Sequence, residues 1–171
     1  PDYIVEAKTV QTGAVRTLTE ALKCILVEMS LIFDSDGVRM VAMDNTRTVL
    51  VHLRLYSDKF EKYSYKHNTG KFVIGINTDH LHRIVRTATN DDTITFYVDQ
   101  ADPNTLGILL EDGEKKQVTR YKLNLLDLGP IEQVVFHYDQ GGLALIKRND
   151  RYCYIGLRGR VVWTFPENSD E

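Results

Sequence analysis

The pattern that most restricts this chain is an order of elements that occurs twice: a strand, an amphipathic helix, then three short strands. In the first copy Ile4 to Val10 reads as a strand and Thr12-Gly13 breaks it. Ala14 to Glu28 then has helical spacing, with Val15, Leu18, Leu22, Ile25 and Met29 recurring at intervals of three and four. Strands are expected at Leu31–Phe33, Val38–Met43 and Thr48–Leu53, and Asp34-Ser35-Asp36-Gly37 supplies a hairpin turn. In the second copy Phe72–Ile76 is a strand, and Thr78 to Ala88 is a helix with Leu81, Ile84, Val85 and Ala88 facing inward. Strands at Thr93–Val98, Leu106–Leu110 and Val118–Leu125 follow, separated by Asp102-Pro103-Asn104 and Asp112-Gly113. Tyr56 to Gly70 joins the copies, which agree in pattern rather than in letters.

Beyond Gly129-Pro130 the helical period stops. Gln133–Tyr138, Leu143–Lys147, Tyr152–Leu157 and Arg160–Phe165 read as strands. Gly141-Gly142, Asn149-Asp150 and Gly159 separate them, which predicts an antiparallel meander. Lys147, Arg148, Arg151, Arg158 and Arg160 alternate with Tyr152, Tyr154 and Trp163. Such interleaving can bind nucleic acid, but amphipathic strands packed on the preceding domain are the favoured reading. The expected division is therefore one domain over 1–128 and a connector-like segment with a short β-rich tail over 129–171.

Several function classes drop out on residue types. No run approaches the roughly 18 to 20 apolar residues of a membrane span. The opening Pro1 to Glu6 lacks the basic start and apolar stretch of a signal peptide. Cys24 and Cys153 are too few for a disulfide framework or a zinc site, so a reducing, intracellular setting is expected. A net charge of −3 argues against a plain polycation, though not against basic residues gathered on one face. His80 and His82, two apart on a helix, diverge and suit a metal poorly; solvated or capping roles are expected. Asn68-Thr69-Gly70-Lys71 lacks the first glycine of a phosphate loop. Asp91-Asp92 fits a turn, and no spacing pairs a nucleophile with a base. The chain is expected to have no catalytic residue, no metal and no cofactor, and not to be an enzyme.

Val5-Glu6-Ala7-Lys8-Thr9-Val10-Gln11-Thr12-Gly13 is similar to the opening of PCNA-type DNA sliding clamps, and Leu18-Thr19-Glu20-Ala21-Leu22-Lys23 follows at the family's distance. Met43-Asp44-Asn45-Thr46-Arg47-Thr48-Val49-Leu50-Val51, Gly75-Ile76-Asn77, Asn90-Asp91-Asp92-Thr93-Ile94-Thr95 and Tyr121-Lys122-Leu123-Asn124-Leu125-Leu126-Asp127-Leu128 continue the likeness. Their shared order and spacing over about residues 3 to 128 carry it. The resemblance implies an α+β DNA-clamp fold: two β-α-β-β-β units, two helices on one face and antiparallel sheets outside. It implies a processivity factor that encircles duplex DNA without reading sequence, in a homo-oligomeric, trimeric ring. Its partners would be a clamp loader, DNA polymerase and other clamp-binding proteins, in a nucleus or in a viral or cytoplasmic replication compartment. A PCNA-like adaptor or decoy that binds clamp-interacting peptides without forming a ring is the alternative.

Carried over position by position, the DNA-facing residues are Arg16 and Lys23 on the first helix and Arg83 and Arg86 on the second. On local charge alone these read as solvated polar faces, with Glu20 and Glu28 offsetting the first helix. Thr17 stands where relatives often have another lysine. The partner-peptide groove maps onto Met43, Asp44, Asn45, Thr46, Arg47, Leu126 and Leu128, with Arg47 where animal clamps usually carry histidine. The subunit edge maps onto Gln117, Val118, Thr119, Arg120, Tyr121, Lys122 and Leu123, with Tyr121 as apolar anchor. Gln133-Val134-Val135-Phe136 begins like the partner peptide itself, but Asp139-Gln140 stands where an aromatic pair is needed.

Overall fold

The computed structural model describes residues 2–44, 46, 48–128, 131–137, 143–148, 151–155 and 161–164, with side chains over 2–42, 44, 46 and 48–128. The first unit comprises β1 (Tyr3–Thr9), α1 (Thr12–Ile25), β2 (Glu28–Asp34), β3 (Gly37–Met43) and β4 (Leu50–Tyr56). The second comprises β6 (Phe72–Asn77), α2 (Thr78–Val85), β7 (Asp92–Asp99), β8 (Asp102–Asp112) and β9 (Gln117–Asn124). Between them lie a single 3-10 turn, Ser57–Lys59, and β5 (Lys62–Tyr65). The repeat expected from sequence is present in order and in kind.

Several boundaries differ from expectation: β8 begins at Asp102, inside the expected Asp102-Pro103-Asn104 break, and β4 runs on through Tyr56; two further differences have tertiary reasons. The first helix stops at Ile25, not Glu28, because Leu26 turns extended at φ −118 and ψ 136. Glu28 then pairs with Asn77 and Met29 with Ile76, so Met29 enters the core from a strand. The joining segment was expected to be a plain connection, yet β5 pairs antiparallel with β1, Val5 opposite Tyr65 and Lys8 opposite Lys62. The β2–β3 turn requires glycine at 37: its φ is +139, and a Cβ there would lie 2.0 Å from the Leu55 carbonyl oxygen.

The two units interlock rather than stand side by side. One antiparallel sheet runs β5-β1-β7-β8-β9 and the other β4-β3-β2-β6. Each unit's opening strand therefore sits in a sheet with its partner's last three strands: β1 beside β7, and β6 beside β2. This exchange forces one shared core. Leu22 of α1, Leu81 and Val85 of α2, and Met40, Ile76, Ile94, Leu106 and Ile108 of the sheets belong to a single buried cluster. Burying a side chain of this size contributes about 1.5–3 kcal/mol, so neither unit keeps its core without the other. An apolar cavity of about 80 Å³ remains where α1 and α2 meet both sheets, beside Leu18, Leu22, Phe33, Leu53, Leu81 and Phe96.

A third sheet follows, an antiparallel meander of β10 (Ile131–His137), β11 (Leu143–Arg148), β12 (Arg151–Ile155) and β13 (Val161–Thr164) in chain order. It matches the meander expected there. The expected role of the tail's basic and aromatic side chains, and their packing on the preceding domain, fall outside the described residues.

Candidate nucleic-acid and partner interfaces

The helix pair is the first candidate surface. α1 and α2 pack against each other, and their seam is polar: Thr19 Oγ1 lies 3.2 Å from His82 Nδ1, both residues buried. His82 was expected to be solvated or a cap; the cap is made instead by Asn77, whose Oδ1 accepts from the His80 amide at 3.0 Å. Outward from the seam the expected cations take different roles. Lys23, Arg83 and Arg86 are exposed. Arg83 pairs with Asp79, one turn earlier, at 2.8 Å, while Lys23 and Arg86 take part in no ion pair among the described residues. Arg16 is half-buried, and its two terminal nitrogens donate to the Ala88 carbonyl at 2.7 Å and to Asn90 Oδ1 at 2.5 Å. Thr17, Glu20 and Cys24 are exposed on α1 as well. Glu28 is on β2 and does not belong to the helix.

The second candidate surface is the outward side of the β4-β3-β2-β6 sheet. Val38 and Met40 of β3 point into the core, so Arg39 and Val41 point away from it. Val41 is nevertheless only 8% exposed. The chain leaving β9 attaches at the far edge, where the Leu126 amide donates to the Gly75 carbonyl at 2.8 Å. A Cβ on Gly75 would stand 2.3 Å from the Leu126 oxygen and 2.8 Å from Leu128 Cγ. Its φ is ordinary, so glycine is needed here for space and not for conformation. The expected groove walls thus share one sheet, with β6 and β2 between Leu126 and β3. Asp44 organises the opposite wall: its Oδ1 accepts from the Thr48 and Val49 amides at 2.8 and 3.0 Å, and its Oδ2 from the Thr46 and Thr48 hydroxyls. These donors hold its carboxyl at about 2, the Thr46 hydroxyl first among them. Asn45, Arg47 and the Met43 side chain lie outside the described residues.

The third is the edge of the five-stranded sheet. Among the described residues β9 pairs with β8 alone. Thr119, Tyr121 and Leu123 turn toward the interior, while Gln117, Val118, Arg120 and Lys122 are exposed. Tyr121 packs on the core with its hydroxyl 3.5 Å from Thr87 Oγ1, just past α2. Lys122 is tied to Asp102 at 3.2 Å.

Residues 4–133 match the family model described as proliferating cell nuclear antigen, N-terminal domain. The chain belongs to that family. It is 30% identical over 131 residues to "Probable DNA polymerase sliding clamp 1" of Paramecium bursaria Chlorella virus 1, an alignment covering 77% of this chain and 49% of that protein. It is 26% identical over 125 residues to the proliferating cell nuclear antigen of Chaetomium thermophilum, covering 73% and 47% respectively. The chain spans about half the length of these curated relatives.

Within this member of the PCNA family, three features of the surfaces were not read from the sequence. Gly75 was noted only as part of a matching fragment, and its contact with Leu126 and Leu128 comes from 51 or more positions away. The partners of Arg16 lie 72 and 74 residues distant. Thr19 and His82 meet across 63. Of these, Gly75 alone carried a local signal, a glycine inside a strand pattern, which marks a close backbone approach.

Proposed function

We propose that residues 1–128 form a DNA sliding-clamp domain that tethers replication and repair enzymes to duplex DNA and has no active site of its own. The observation that carries this reading is the paired helices of a PCNA-family domain, with Lys23, Arg83 and Arg86 on their solvent side. Cations on flexible stems attract phosphates without reading bases, and they can exchange one phosphate for the next. Arg16 adds its charge to the same surface while its donors stay bonded within the chain. Retention then comes from topology: a closed ring leaves DNA only by opening.

The remaining surfaces complete the assignment. The groove of Met43, Asp44, Asn45, Thr46, Arg47, Leu126 and Leu128 receives peptides from DNA polymerase and other clamp-binding proteins. The β9 edge, Gln117 to Leu123 with Tyr121 at its centre, joins subunits of a homo-oligomeric ring that a clamp loader opens. Residues 129–171 supply a connector-like segment and a short β-rich tail. The ring operates in the nucleus or in a viral or cytoplasmic replication compartment.

The test is retention on DNA of different ends. Loaded protein is expected to stay on a closed primed circle and to run off once the circle is cut. Equal loss from circle and linear duplex sinks the ring. If peptides with an aromatic pair still bind in that case, the chain is an adaptor or decoy instead.

A further inference from the structure

Arg16 has the family position of a DNA-facing cation but not the surroundings of one. Its guanidinium fork reaches across the helix seam to the segment after α2, with one arm on the Ala88 carbonyl at 2.7 Å and the other on Asn90 Oδ1 at 2.5 Å. Two neighbours in the first turns of α1 reach the same segment. The Thr12 hydroxyl donates to the Asp92 carbonyl at 2.5 Å. Gly13 lies so close to Asn90 that a Cβ there would sit 3.3 Å from the same Oδ1. The segment is itself wound tight: the Ala88 amide bonds to the Val85 carbonyl at 3.1 Å, and the Thr89 amide bonds to Asp92 Oδ2 at 2.7 Å. Ala88 is 2% exposed, which leaves its carbonyl few alternatives to Arg16.

We propose that Arg16 is a positioning residue, a latch from the first turns of α1 to the segment after α2 that fixes how the two helices present Lys23, Arg83 and Arg86. The physics favours this use of the charge. The Ala88 carbonyl lies three residues past the end of α2 on a residue that is 2% exposed, so the guanidinium gives it a charge-assisted partner where water has little access. Charge-assisted bonds to two fixed acceptors also hold a side chain far more firmly than exchange among mobile phosphates. A cation held this way sets the geometry of the basic wall and does not travel with DNA.

The inference rests on the clamp reading for its functional meaning but not for its structural content, and the experiment separates the two. R16A, R16K and R86A are made in the full chain. Amide exchange is followed at Ala88, Thr89 and Asp92, with Ile94 as a core reference, and binding to a fluorescein-labelled duplex is measured across salt. Lysine keeps the charge but lacks the fork. The latch therefore predicts roughly tenfold faster exchange at the three amides in both R16A and R16K, with Ile94 unmoved. It also predicts a salt slope that falls by about 0.9 in R86A and by less than half as much in R16A. Wild-type exchange in R16K overturns the latch, as does an R16A slope that falls as far as that of R86A. An unmoved slope in R86A overturns the DNA reading instead, and the exchange rates alone then decide the latch.

Discussion

Asp44 shows how one side chain can hold a turn together. An ionised carboxylate only accepts hydrogen bonds, and four donors from Thr46, Thr48 and Val49 converge on this one. Each favours the charged form, which brings its pKa from 3.8 to about 2. A depressed folded value gives stability that is complete above the unfolded pKa and is lost as pH falls through the folded one. The stability this carboxylate contributes is therefore expected to fade as pH falls from about 4 to 2, while the hydrogen bonds themselves are released with a midpoint near pH 2. Amide shifts of Thr48 and Val49 titrating with a midpoint near 4 would show that the carboxylate does not hold them. Gly75 sets the other wall by what it lacks. Placing a methyl group 2.3 Å from the Leu126 oxygen forces backbone to move, and overpacking of this kind costs about 1–3 kcal/mol. Gly75→Ala is expected to lose that much in urea unfolding and to bind an aromatic-pair peptide more weakly. Unchanged unfolding and unchanged binding together would mean that the connector is not seated there. Neither residue's role was legible beyond its type, because each depends on where distant or turn-local donors and backbone end up.

At the scale of elements, periodicity carried the reading wherever one face of a segment is buried. α2 was placed within three residues at its end because Leu81 and Val85 turn inward at helical spacing. α1 was drawn three residues too long for the same reason: Met29 continues the stripe of Leu22 and Ile25, but pairing of β2 with β6 claims it first. No glycine or proline stands at that junction to mark the stop. β5 was missed because four residues that add to a sheet edge through their backbone leave almost no pattern in side chains. The helices also carry the most direct functional prediction. Arg83 and Arg86 are exposed, and the Arg83–Asp79 pair is a surface i,i+4 contact worth about 0.3–0.5 kcal/mol. The double variant R83A/R86A is expected to unfold within about 1 kcal/mol of the parent. Its affinity for duplex DNA should fall, with a salt slope smaller by about 1.8. Intact binding at every salt concentration would return these residues to ordinary solvated surface.

For the whole molecule the deciding question is whether the open edge of the five-stranded sheet takes up a second copy, as the proposed ring requires. The exchange of β1 and β6 between units gives the domain one shared core. Among the described residues β9 is the longer of the two edge strands of its sheet, eight residues against four for β5. An edge of that length presents a row of unpaired backbone donors and acceptors, which natural sheets cover or pair. Val118 on β9 is 51% exposed and would supply apolar surface to such a pairing. Tyr121 packs on the core with its hydroxyl beside Thr87, so it anchors the strand that the proposed interface would use. Tyr121→Ala is thus expected to loosen the edge and cut self-association while the core, centred on Met40, Ile76 and Ile108, stays folded. Sedimentation across a range of concentrations measures it. The parent should grow in mass with concentration and the variant should remain a monomer. A parent that is strictly monomeric at the highest concentration would exclude self-assembly through this edge. A variant that assembles like the parent would move the subunit contact away from Tyr121.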